Sequence, residues 1–499
     1  MNGYPTTIIN DFLNTQATIQ YNGGDVSDAN PFPVLLKTTD PIAISFSNLT
    51  IKSEQTGQIP AGSNFIGSVN VGFNSSNVTL LNPLPVVLSN AAESVAIDAF
   101  GRARTSEAFT LADYKHAYGI DTNFLSNIFN GGSVNFFRNK ACCTLATSTA
   151  ADSHTVHQSR AYHHYQPGKS HLIMASFNFQ GSTTNVSKRT GYFDDDDGIF
   201  LELNGVNVPS INLRSFVTGA AATLSIPQSA WNKDRFDGMG PSGVNILWDR
   251  TQLFFIDFQW LGVGRVRTGF SYNGLDIIAH EFYNANFNNV VYMANPNLPI
   301  RCEILNTGGG GNIGVMDQIC STVISEGGYV EAGIDFAIQT DLPIRSLTAS
   351  VGATLPLLAI KMAPSFNGYK NRIMVRLKEA AVTSLDQLVS YKLLRLDSES
   401  AVVGGSWSNV PGGSAVQYNS TATSLTVTSP EFANGFAVAG GQGSGQFSSA
   451  DRIAGSEAKT NFICQNYDST NSQTYVLYCT NLSASTARVL GGMKWQEVY

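Results

Sequence analysis

Imidazoles crowd into one short stretch of this chain. Five of its seven histidines, His154, His157, His163, His164 and His171, fall between positions 154 and 171. Imidazole is a favoured ligand for transition metals, so His154, His157, His163 and His164 are candidate metal ligands. No HExxH pattern and no usefully spaced carboxylate accompanies them. The plainer alternative is a set of polar loop and strand residues around Tyr162 and Tyr165. Asp194 to Asp197, followed by Gly198, could chelate a hard cation such as calcium, with Asp194 and Asp196 as the alternating pair. An EF-hand register needs an acid at position 193, which is Phe193, and a solvated acidic turn is the competing reading. Histidines in trimeric fibres can also ring a threefold axis around a metal.

Arg265 and Arg267 alternate along one face of a strand, within reach of Asp257 and Glu281. That arrangement predicts an ion-pair row across a sheet, or else contact with an acidic glycan or a neighbouring subunit. Tyr283, Tyr292 and Trp407 are aromatic candidates for stacking a sugar, against ordinary packing. Polysaccharide hydrolysis would need two carboxylates at a defined spacing. Glu202, Asp257 and Glu281 qualify only by lying in strand-like sequence. The run Gly308 to Gly311 lacks the Lys-Ser/Thr ending of a phosphate loop, no GxSxG or Cys-His pattern has its expected context, and nothing calls for a cofactor. The six cysteines form no CxxC pair and read as buried thiols in a reducing cytoplasm.

The elements that must carry these residues read as short strands punctuated by Gly, Asn, Ser and Pro. In Leu253 to Trp260 the residues Phe254, Ile256, Phe258 and Trp260 share one face, the period of a sheet with one buried side. Arg265 to Phe270 follows. Asn273-Gly274 is a strong hairpin-turn dipeptide, and the next strand sets Ile278, His280 and Phe282 together. Further strands are expected at 170–179, 198–203, 299–305, 357–361, 372–377, 390–396, 424–427, 474–479 and 488–495. Helix is expected only at Thr110 to Ala117 and as a turn at Ser384 to Leu388. Many short strands with few helices imply an all-β fold, with a β-sandwich or jelly-roll-like body.

The first hundred residues differ. Asn30-Pro31-Phe32-Pro33-Val34-Leu35-Leu36 recurs as Asn82-Pro83-Leu84-Pro85-Val86-Val87-Leu88. Proline on both sides of an apolar residue pins an extended backbone without offering an N–H to a ladder. Pro31, Pro33, Pro83 and Pro85 therefore mark an extended N-terminal β arm over 1–97, which packs on a partner or on sister subunits. A sandwich body over 98–330 follows, then a β-rich region over 331–499 that could belong to the same sandwich.

Of the 499 residues 43% are hydrophobic and 13% charged, against roughly 25% charged in typical soluble domains. A surface so poor in charge has little self-repulsion to keep copies apart. The net charge of -7 and the lack of a basic cluster argue against nucleic-acid binding. No basic and apolar leader is evident at the N-terminus. No run approaches the ~18 apolar residues that span a bilayer, so no membrane role is expected.

Several stretches resemble a group of tailed-bacteriophage virion proteins described as structural, tail, neck or fibre proteins. Asp98-Ala99-Phe100-Gly101-Arg102-Ala103-Arg104-Thr105-Ser106-Glu107 resembles their DAFGRLRVSEP stretch, departing at Ala103, where a larger apolar residue is commoner. Gly191 to Phe200 is similar to their GYFDDNDGVFFE. The longest match runs from Asp257-Phe258-Gln259-Trp260-Leu261-Gly262-Val263-Gly264-Arg265-Val266-Arg267 to Asn297-Leu298-Pro299-Ile300-Arg301. Trp495 to Tyr499 is also similar to their C-termini, and Ile59 to Gly67 resembles a segment of phage adhesin and tail arms. The resemblance implies a virion structural protein, made in the host bacterial cytoplasm, that partners other capsid, neck or tail proteins. It carries no catalytic residues to transfer. The expected molecule is a homo-oligomer, with a trimer favoured. Two alternatives stand beside it: a spike that binds or depolymerises a host surface glycan, and a capsid decoration protein.

Overall fold

In the computed structural model the described residues are 108–308, 312–330, 333–340, 343–438 and 462–499, with the backbone of Gly445–Ser448 and of short strands nearer the N-terminus. Met1–Thr105 and Ser106–Tyr499 are separate units. Within the first, Gln20–Tyr21 pairs with Gly24–Asp25, Leu35–Lys37 pairs with Pro41–Ala43, and Thr50–Lys52, Asn70–Phe73 and Ser76–Asn77 form a three-stranded sheet. Pro31, Pro33, Pro83 and Pro85 lie outside the described residues.

The second unit is all-β. Its described residues contain no α-helix, only the single 3-10 turns Gln228–Ala230 and Glu399–Ala401. Strands between 109 and 325 form an eight-stranded and a seven-stranded antiparallel sheet. The first is built around Val315–Ser325 and His171–Asn178, with Gln252–Phe258, Val266–Tyr272 and Leu275–Phe282 at one end. The second runs from Ala222–Pro227 through Val186–Phe193 and Ile300–Asn306 to His154–Ser159 and Phe124–Phe129. Phe177, Phe254, Phe258 and Tyr192 fill the space between them. Apolar side chains alternate along these strands, so each sheet has one face that must be covered, and each covers the other.

Strands between 334 and 498 make a second sandwich of two six-stranded sheets around Trp495, Tyr475, Leu477 and Leu393. Its longest strand, Ala487–Val498, pairs with Ile334–Gln339, Arg345–Leu347 and Met374–Ser384.

The meander follows the sequence expectation. Phe254, Ile256 and Phe258 are buried together, and Asn273 and Gly274 take positive φ of 51° and 82°, the backbone of a type I′ hairpin turn. Three expectations fail, one being the helical turn at Ser384 to Leu388, where Ser384 ends a strand and the next residues form a bend. Phe109–Lys115 is a strand, not a helix. It pairs with Val315–Ser325, with Ala112, Tyr114 and the following His116 turned inward; that distant partner outweighs the local helix propensity. In Leu275–Phe282 a register shift beside Gly269 places Ile277, rather than Ile278, against the core with His280 and Phe282.

Candidate functional site

The histidines do not form one cluster. His154 lies on the outer face of the seven-stranded sheet, 3.2 Å from Glu303. His163 and His171 are core residues. Tyr114 Oη lies 3.0 Å from His163 Nε2, and His163 Nδ1 lies 3.0 Å from the Leu298 carbonyl. His171 packs among Tyr165, Tyr192 and Phe258 with neither ring nitrogen hydrogen-bonded. Burial lowers the pKa of His163 to about 4 and of His171 to about 3, and lowers that of the half-buried His164. Rings held neutral between two sheets are packing groups at neutral pH.

His157 alone of the expected ligands meets other donors. Its partners are His116, just beyond the 109–115 strand, and Cys143, on Cys142–Ala146; the three donor atoms lie within 4.8 Å of one another. All three residues are buried, at 0–1% exposure. Ser126 Oγ lies 2.8 Å from His157 Nδ1, the Asp121 N–H donates to His116 Nδ1 at 3.1 Å, and both Nε2 atoms lack a hydrogen-bond partner. Phe124 stacks on His157 at 4.7 Å. Burial lowers the pKa of His116, lowers that of His157 to about 3 and raises that of Cys143 to about 12. Sequence reading missed His116 and Cys143. The only local signal for either was the inward alternation of the 109–115 strand, which had been read as a helix.

The acidic turn is a joint between the two sandwiches. Asp194 accepts from the N–H groups of Asp196 and Asp197 at 2.9 Å and lies 3.4 Å from Arg372. Asp195 takes Arg301 at 2.6 Å, and Asp196 takes Lys370 at 2.9 Å. Asp197 accepts from the backbone of Phe216, Ala294 and Asn295, and burial raises its pKa to about 6. The turn's carboxylates serve different partners, so Asp194 and Asp196 are not brought together as cation ligands. Arg301, wholly buried, also faces Glu303 and lies over the rings of Phe193 and Tyr467 at 5.3 and 5.6 Å. Arg160 reaches Asp397 at 3.1 Å.

Glu202 and Glu303 are the one close carboxylate pair on this sheet face that could suggest acid–base work, and both bind Arg189, at 3.3 and 3.0 Å. Burial would raise the pKa of Glu303, but His154, Arg189 and Arg301 hold it far below the carboxylate range. A group so firmly ionised is a poor general acid.

Asp257, Arg267 and Glu281 align across three strands. Arg267 Nε donates to Asp257 at 2.8 Å, Arg265 lies 3.5 Å from Glu281, and Lys233 lies 3.3 Å from the same carboxylate. The three aromatics do not assemble into a sugar platform. Tyr292 is buried, with its hydroxyl donating to the Gln259 carbonyl; Lys361 covers Trp407 at 4.8 Å; Tyr283, half exposed, donates to Glu281. All six cysteines are free, and Cys320 alone is exposed.

Fold and sites together define an all-β protein of two joined sandwiches. No family model matches the chain, and no curated protein sequence matches it. Similar solved structures include the Emp47p carbohydrate recognition domain (9% identity, TM-score 0.27, 44% of this chain and 95% of that one). Others are a glycoside hydrolase family 16 endo-glucanase from Bacteroides ovatus (9%, 0.29, 43% and 99%) and the cellulose induced protein Cip1 (14%, 0.26, 42% and 96%). Likenesses at such TM-scores carry no argument about this chain, whose fold is read from its own strand pairing.

Proposed function

We propose that the chain is a structural component of a tailed-phage virion, an oligomeric appendage of fibre, spike or neck/tail type attached through its N-terminal region. The virion-protein motifs around 98–107, 191–200 and 257–301 point toward that class. The observation that carries the assembly reading is a sheet edge that no other strand covers among the described residues. Ala222–Pro227 ends the seven-stranded sheet, pairs on one side with Pro209–Ser215, and is exposed over its first four residues, Leu224 at 55%. From Phe216 to Trp231 there is no charged residue. Proteins that stay monomeric protect such edges with charges, bulges or coverage. We assign this edge to a sister subunit, in a head-to-tail contact that closes as a ring of three. The protein works by assembly rather than catalysis, in keeping with the firmly ionised state of Glu303.

Light scattering of the purified chain should give a stable trimer at micromolar concentration. Leu224→Lys should shift it toward monomer with an unchanged circular dichroism spectrum, since it places a charge on an exposed edge. A monomeric wild type, or an oligomer indifferent to the lysine, would reject the reading.

A glycan-binding role has one observation of its own. A cavity of about 390 Å³ between the sandwiches is lined by Ser126, Asn127, Arg160, Asp397, Asn471 and Gln473, a hydroxyl- and amide-rich wall suited to a neutral sugar. Binding on a glycan array that Asn127→Ala abolishes would favour this role; a blank array would remove it.

A further inference from the structure

We propose that His116, Cys143 and His157 bind a transition-metal ion of the class that prefers thiolate and imidazole donors, Zn2+ or Cu+, and that the ion staples the two sheets of the first sandwich.

The three donors come from different elements. Cys143 stands on the eight-stranded sheet, His157 on the seven-stranded sheet, and His116 follows the strand that pairs with Val315–Ser325. Their donor atoms lie within 4.8 Å of one another. Metal bonds of about 2.0–2.3 Å require donors roughly 3.3–3.8 Å apart, so side-chain shifts of about 1 Å complete the set. The donor types, two nitrogens and one sulfur, select against Ca2+ and Mg2+ and for Zn2+ or Cu+.

The second observation is the pair of orphaned ring nitrogens. His116 Nε2 and His157 Nε2 are buried without partners. A buried polar atom left unsatisfied is costly, and these two, unlike those of His171, lie on residues grouped with a thiol. An ion at their centre satisfies both. The second ring nitrogen of His157 already has a partner able to accept its proton, as expected of a metal-binding histidine. Ser126 Oγ orients the His157 ring. At His116 the Asp121 N–H donates to Nδ1, which puts the ring proton on Nε2. Binding through Nε2 moves that proton to Nδ1, which then no longer accepts from the Asp121 N–H, so this hydrogen bond is given up as the metal bond forms. At Cys143 the S–H bond breaks, the sulfur binds the metal and one proton leaves to solvent. No electron is transferred. Cys302, the cross-strand neighbour of His157, is the next sulfur and is engaged with Thr190 at 3.3 Å.

The test uses the full-length chain, stripped of metal and titrated with Zn2+ against a chromophoric chelator and, without oxygen, with Cu+ against a Cu+ probe. One ion per chain should bind, and whichever arm saturates at that stoichiometry identifies the metal. Calorimetry in buffers of different ionisation enthalpy should count one proton released per ion. Co2+ should give a thiolate charge-transfer band. Cys143→Ser should lose that band, His157→Gln should weaken binding more than the ~10–100-fold typical of changes around a ligand, and Cys320→Ser should alter neither. Failure of both ions to bind at micromolar concentration, or binding that Cys143→Ser leaves intact, overturns the proposal. Should Cys143→Ser not fold, the wild-type Co2+ spectrum decides: a spectrum without a sulfur band is equally fatal.

Discussion

Arg301 shows how a single side chain joins large bodies. It is a wholly buried cation between Asp195 and Glu303, with Tyr467 of the second sandwich over its plane. Removing one member of a buried pair leaves the other charge uncompensated and costs about 3–5 kcal/mol. Arg301→Ala should lower stability by that order, read from the urea midpoint, while Arg265→Ala on the half-exposed row should change it by less than ~1 kcal/mol. The buried histidines make a separate prediction. His163 and His171 have folded-state pKa values of about 4 and about 3, below the ordinary 6.5. Below pH 6.5 the unfolded chain gains protons that the folded one refuses, so stability is full above 6.5 and falls as pH drops toward 4. Glu303, also depressed, adds a loss that begins only below its ordinary 4.5. Thermal melts from pH 7 to 5 should therefore fall, the histidines outweighing the smaller opposite change at Asp197, whose carboxyl is raised to about 6, and His171→Phe should flatten that slope. These roles were not legible in the sequence. Histidine spacing says nothing of burial, and the partners of the Asp194–Asp197 turn, Arg301, Arg372 and Lys370, are remote in the chain.

At the scale of elements, alternation was the readable signal. The strand at Leu253 to Trp260, the hairpin at Asn273-Gly274 and the strand Gly198–Leu203 followed from side-chain period and turn chemistry, because those are local properties. Phe109–Lys115 was misread because its strand conformation is imposed by pairing with Val315–Ser325. Ile278 was misplaced because a register shift changes inside to outside without altering composition. Glycines with different surroundings provide a test. Gly274 has φ +82° and open space around it, whereas Gly198 has φ +141° and a Cβ there would sit 2.3 Å from Phe193 Cα. Gly274→Ala should cost about 1 kcal/mol, the ordinary penalty for positive φ. Gly198→Ala should cost clearly more, because it forces apart the pair Phe193↔Gly198 that starts the acidic turn. Urea denaturation of the two variants side by side measures the difference.

For the whole molecule, the all-β class was readable from punctuation and scarce helix signals, and a boundary near residue 330 was expected, but whether the region after it shared the first sandwich was left open. That division depends on which distant strands pair: Val315–Ser325 runs through the first, and Ala487–Val498 through the second. The position of Ala487–Val498 bears on how the protein is made. Three strands hydrogen-bond to it, and Trp495, at 0% exposure, fills the second core. On a ribosome, the second sandwich stays open until the last residues of that strand emerge, while the first has all its strands once Ser325 has cleared the exit tunnel. A polypeptide released early, short of residue 487, would present a finished front half and unpaired strands behind it. Such a fragment exposes apolar strands to proteases, so the placement of this strand acts as a check that the second sandwich has been made in full.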